Sequence, residues 1–147
     1  MKIDYTRAAM AAALAAGLAG FGAQAMAEAG GTKLSATLNG ANEKPTAADP
    51  KATGTASVTV NGTQVCYELK VKDLAGATMA HIHKGGPDVA GGVAVPLTPP
   101  DASGASKGCA TADAAVAKDI ADNPGNYYVN VHSATYKAGA IRGQLKK

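Results

Sequence analysis

The chain holds only three histidines in 147 residues, and two of them stand one residue apart in Ala80-His81-Ile82-His83-Lys84. In an extended strand residues i and i+2 leave the same face, so His81 and His83 project together while Ile82 faces the other way. The third, His132, ends the run Tyr127-Tyr128-Val129-Asn130-Val131-His132, where Asn130 and Tyr128 share its face. If these two strands are neighbours, three neutral imidazoles converge. Such a donor set, His81, His83 and His132, suits Cu or Zn and leaves a fourth position open for water or substrate. Met79 occupies the preceding same-face position, and its thioether would bias the site towards Cu(I).

A competing reading makes the same histidines structural. An imidazole can hold a loop carbonyl through one nitrogen and a carboxylate such as Glu43 through the other. The Pro87–Gly92 loop that follows His83 needs anchoring of that kind. Arg142 could then pair with Glu43 and satisfy two buried charges at once. A third reading gives the face to an organic ligand.

Other chemistry finds little support. There is no G-x-S-x-G, no phosphate-cradling glycine loop and no CxxC, and Glu43, Glu68, Asp73, Asp88 and Asp113 lie in separate segments. Gly85-Gly86 and Gly91-Gly92 read as turn residues. No catalytic residue is assigned, and the expectation is a binding protein rather than an enzyme. Redox activity at an open copper site is the one enzymatic alternative.

The elements that must position these residues begin after an N-terminal segment of different character. Lys2 and Arg7 precede an apolar, uncharged run from Ala8 to Gly20, and Ala23-Gln24-Ala25-Met26-Ala27 follows. That order of basic, apolar and A-x-A regions predicts a secretory signal over residues 1–27 with cleavage after Ala27. The apolar run is too short for the roughly 20 residues a membrane helix needs. Residues 28–147 then form one exported domain, periplasmic or extracellular, with no membrane anchor after signal removal. Without Lys2, Arg7 and Asp4 the 14 basic and 11 acidic residues become 12 and 10, a net charge of +2. The basic residues are scattered, which argues against nucleic acid as a partner. A metal ion, another protein or a surface component remain as partners.

Cys66 and Cys109 are the two cysteines. An even count in an exported domain predicts a disulfide. It would close a loop of 44 residues counting both ends, a constraint worth about 4 kcal/mol by chain entropy.

Period-2 alternation predicts strands at Lys33–Leu38, from Thr55 to Val60 and from Gln64 to Val71. Asn61-Gly62 between the last two marks a hairpin. Shorter strands are expected at Met79–His83 and at Val93–Leu97, the latter at an edge because of Pro96. Residues 98–110 are rich in Pro, Gly and Ser and read as a loop. Thr111 is expected to cap a helix over Ala112–Ala121 that buries Val116 and Ile120 and stops at Asn123-Pro124-Gly125. Tyr127–His132 and Ala140–Leu145 form a second hairpin. Many short strands with one small helix predict an all-β fold, an antiparallel sandwich or barrel.

Several segments together, in order, resemble the CHRD (chordin-type) domain family. They are Gly40-Ala41-Asn42-Glu43-Lys44-Pro45, Ala52-Thr53-Gly54-Thr55-Ala56, Cys66-Tyr67, Ala80-His81-Ile82-His83, Asn123-Pro124-Gly125 with Tyr127–His132, and Gly139–Leu145. The similarity spans residues 33 to 146 and looks like single-domain, signal-bearing bacterial exported forms. Lys44 departs from the family, which often has an apolar residue between the Glu and the Pro. The resemblance implies an immunoglobulin-like all-β fold and no established reaction. The function expected is therefore metal binding at the three histidines or, alternatively, a non-catalytic extracellular interaction or scaffold module in which they are structural.

Overall fold

A computed structural model describes residues 30–147. The segment expected to be a signal, and its Ala27 cleavage point, lie outside the described residues. Eight antiparallel strands run in chain order: β1 (Thr32–Asn39), β2 (Thr53–Asn61), β3 (Gln64–Lys72), β4 (Ala77–Lys84), β5 (Gly92–Leu97), β6 (Ala105–Thr111), β7 (Tyr127–Ser133) and β8 (Ile141–Gln144). A helix, α1 (Ala114–Asp122), lies between β6 and β7. All eight strands belong to one sheet, in the order β5-β4-β7-β8-β1-β2-β3-β6. The sheet rolls into a nearly closed barrel, the barrel form of the expected fold. Its two edges are stitched together at Thr98, just beyond β5. There the Tyr67 hydroxyl of β3 accepts from the Thr98 amide at 2.8 Å, and Ser106 of β6 donates to the Thr98 carbonyl at 2.7 Å.

The alternation that predicts the strands also builds the interior. Leu34 and Leu38 of β1, Val58 and Val60 of β2, Val65 and Leu69 of β3, Ile82, Val95, Val129 and Val131 all point inward and are buried. The β2–β3 hairpin closes at the pair Asn61–Gln64, so Gly62 and Thr63 form the turn, and Gly62 takes the positive φ of 57° that a side chain would resist.

Three expectations need correction. Residues 105–111 are not loop but strand β6, which pairs with β3 in full register. Its Ala-Ser-Lys-Gly-Cys-Ala-Thr sequence carries almost no hydrophobic alternation, because an edge strand is placed by its ladder more than by its side chains. The cap of α1 is Asp113, whose carboxylate accepts from the Ala115 amide at 2.8 Å. Thr111 ends β6 instead and accepts a bond from Gln64. On the helix, Ala117 and Ile120 are the buried pair, and Val116 is only partly covered.

Cys66 and Cys109 face each other across β3 and β6 and form the disulfide. It ties the edge strand β6 to the body of the sheet. Among the described residues no helix is long and apolar enough to cross a membrane.

Candidate metal centre

β4 and β7 are neighbours in the sheet, and this adjacency assembles the histidines. The register sets Met79 opposite His132, His81 opposite Asn130 and His83 opposite Tyr128. Ala80 and Ile82 pack into the barrel, so the intervening His81 and His83 emerge on its outer face beside His132. Each of the three offers one ring nitrogen, and these atoms lie within 4.8 Å of one another. The rings meet edge to face, with centroids 5.3 Å apart for His81–His83 and 5.1 Å for His81–His132.

Hydrogen bonding fixes the tautomers. His83 Nδ1 lies 2.9 Å from the Gly91 carbonyl, and His132 Nδ1 lies 2.9 Å from the Lys137 carbonyl. A carbonyl only accepts, so both Nδ1 atoms carry the proton and both Nε2 atoms present lone pairs. His132 Nε2 receives His81 Nδ1 at 3.1 Å. His83 Nε2 is buried with no hydrogen-bond partner. Anchoring the far nitrogen on a backbone carbonyl is the outer-shell arrangement that orients metal-ligating imidazoles. A metal needs only that His81, in its half-exposed ring, carry its proton on Nε2 instead of Nδ1.

The environment favours the neutral, ligating form. Burial pushes the His83 imidazole below its ordinary value; the Gly91 hydrogen bond opposes this, while His132 and Arg142 reinforce it. His81 is lowered as well, first by burial and then by the other two histidines.

Around the histidines lies a buried polar layer that sequence reasoning resolved only in part. Tyr128 stacks on His83, with rings 3° from parallel and centroids 4.9 Å apart. The Arg142 guanidinium lies 3.4 Å from the same ring. The strand order β4-β7-β8 puts His83 and Arg142 on opposite sides of Tyr128. Arg142 donates to the carbonyls of Val89 at 2.8 Å and Gly86 at 2.6 Å, and to Gln144 at 3.1 Å. It therefore grips the loop between β4 and β5 and forms no ion pair with Glu43. The expected pairing fails because backbone acceptors in that loop take the guanidinium.

Glu43 is buried and accepts from the Asn130 side chain, which also donates to the Ile141 carbonyl at 3.1 Å. Burial raises its carboxyl to about 7, against the opposing pull of Arg142 and the Asn130 hydrogen bond. Glu43 thus reaches the site only through Asn130, the cross-strand neighbour of His81. Gly139 packs directly against it; a Cβ there would come within 2.6 Å of the carboxylate. Met79 lies across from His132 and is 46% exposed, at the lip of the cluster. Lys44 reaches Asp88 at 3.3 Å on the surface.

Gly139 and Gln144 are supporting residues given no role by the sequence, and Tyr128 and Gly91, placed there only on the His132 face and in a turn, hold His83. Their signal, in retrospect, is the paired glycines after His83 and the polar residues alternating through Tyr128-Val129-Asn130-Val131-His132. A cavity of about 290 Å3 lies on the Arg142 side, lined by Asn42, Lys44, Asp88, Arg142 and Gln144 among others, and includes no histidine.

Residues 34–145 match the CHRD domain. The chain belongs to the CHRD domain family. No curated protein and no solved structure matches it significantly. The family assignment thus identifies the CHRD fold unit, and the chemistry of the site must be argued from its own residues.

Proposed function

We propose that this CHRD domain is an exported binding protein that holds copper or zinc on His81, His83 and His132, for sequestration or delivery of the metal outside the cytoplasm. The observation that carries the reading is the buried, partnerless Nε2 of His83. A buried acceptor left unpaired costs roughly 1–3 kcal/mol, and a metal ion is the partner that would repay it. The two Nδ1 protons anchored on carbonyls support the same reading, because they hold His83 and His132 in the tautomer whose Nε2 can ligate. The disulfide supports an oxidising compartment, as does the signal-like sequence of residues 1–27.

A second reading, a non-catalytic interaction module with structural histidines, draws on the same two carbonyl bonds, which tie the loops after β4 and β7 to the sheet. Calorimetric titration with copper and zinc separates them. Submicromolar 1:1 binding by the wild type, lost in a folded His81→Ala, His83→Ala double variant, is the expected result. No binding, with a double variant that only melts earlier, would establish the structural reading instead.

A further inference from the structure

The donors at the centre are uncharged. The carbonyls of Gly91 and Lys137 fix the Nδ1 protons of His83 and His132, so each turns Nε2 to the centre, and His81 completes the set with a third ring nitrogen. No carboxylate or thiolate belongs to the metal-ligating cluster found among the described residues. On the far side of Tyr128 stands the Arg142 guanidinium, itself almost wholly buried and bonded to carbonyls rather than to an acid. Glu43 is set back behind Asn130, and burial raises its carboxyl to about 7.

We propose that the three-histidine centre, on the reading given above, selects copper in the monovalent state over Cu(II) and Zn(II), because its donors are neutral and its buried surroundings carry a guanidinium. The desolvation cost of an ion rises with the square of its charge, so a dication pays about four times what a monocation pays in this partly buried site. Anionic ligands offset that cost where they are present; here none belongs to the cluster, and the guanidinium of Arg142 lies on the Tyr128 ring beside it. The geometry is compatible with the low coordination number that Cu(I) accepts. Nitrogens about 2.0 Å from one ion are about 3.5 Å apart in a trigonal plane and about 3.3 Å apart at a tetrahedral ion, so the 3.1 Å between His81 Nδ1 and His132 Nε2 serves either arrangement. The exposed Met79 thioether at the lip is a soft, uncharged neighbour consistent with the same preference.

The test uses the disulfide-bonded protein. Cu(I) is held reduced by ascorbate under nitrogen and titrated in competition with bicinchoninate, while Cu(II) and Zn(II) are titrated against nitrilotriacetate. Cu(I) bound at least 100-fold more tightly than either divalent ion is the expected result. A divalent ion bound equally or more tightly overturns the selectivity and leaves the three-histidine reading standing. Binding of no metal in any form overturns both. Met79→Asp then probes the charge argument at a position exposed enough to keep the fold. A carboxylate placed across from His132 should narrow the preference for Cu(I) at least tenfold; an unchanged ratio would show that charge does not set it.

Discussion

On β2 and β3 the outward residues Thr55, Ser57, Glu68 and Lys70 stand in solvent, whereas on β7 the outward Tyr128, Asn130 and His132 are buried. The same sheet therefore has a bare flank and a covered one. The bare flank needs one hydrophobic layer, the barrel interior, and its polar residues lie exposed, Glu68 and Lys70 pairing with each other at 2.8 Å. The covered flank carries a second layer, in which the chain between β1 and β2 and the loops after β4 and β7 lie over polar side chains. There every donor and acceptor must find a protein partner. Arg142, Gln144, Asn130 and two of the histidines meet that demand largely with loop carbonyls. Among the described residues, only His83 Nε2 is left over. The difference teaches where this fold can host chemistry: where polar groups are buried outside the core, not inside it.

The largest effect should come from the bare flank. Replacing both cysteines by alanine removes the β3–β6 cross-link and is expected to lower stability by about 4 kcal/mol, measured by chemical denaturation. Metal affinity of the folded double variant should stay within about threefold of wild type, because the disulfide lies away from β4 and β7. A loss of metal binding in a folded variant would show that the two flanks are coupled.

Next in size is Arg142→Met on the covered flank. It leaves the Val89 carbonyl without its Arg142 donor and the Gly86 carbonyl with only the Val89 amide, and is expected to cost roughly 3 kcal/mol. Unlike the cysteine change, it should also weaken metal binding, since the loop it grips carries Gly91, the anchor of His83. Equal metal affinity in the two variants would dissolve the distinction between the flanks.

Glu43 gives a pH signature of the covered layer. Its carboxyl rises from an ordinary 4.5 to about 7 in the folded protein, so the fold holds its proton more tightly than the unfolded chain does. The associated stabilisation is full below pH 4.5 and is lost as pH rises through 7. Wild-type stability should therefore fall by about 2 kcal/mol between pH 5 and pH 8. Glu43→Gln should remove that part of the slope, and denaturation series at matched pH values check it. At the small end, Ser57→Ala on the bare flank should change stability by less than about 0.5 kcal/mol.

This contrast also explains what could be read in advance. The bare flank was legible because alternation between core and solvent is a period-2 code, and Val58, Val60, Val65 and Leu69 obey it. Its one silent part was β6, where Ser106, Gly108 and Ala110 bury too little to mark a strand. The cap moved from Thr111 to Asp113 because either residue can cap, and only the end of β6 decides between them. On the covered flank the histidines stood out by their rarity and spacing. Their supports did not, since a loop carbonyl such as Gly91 or Val89 has no side chain to announce it. The same fact misdirected Arg142 towards Glu43: a carboxylate is visible in a sequence, and a backbone oxygen is not.

The two halves of the histidine cluster are separated by about fifty positions along the chain, 51 between His81 and His132. An unfolded chain offers only the His81-His83 pair as a preformed chelate, and the third arm arrives when β7 docks between β4 and β8. A full-strength centre is thus a late product of folding, created by one of the longest-range pairings in the sheet. On the proposed reading, a freshly made chain would hold a metal weakly or not at all, and tight loading would mark the moment at which the barrel has closed.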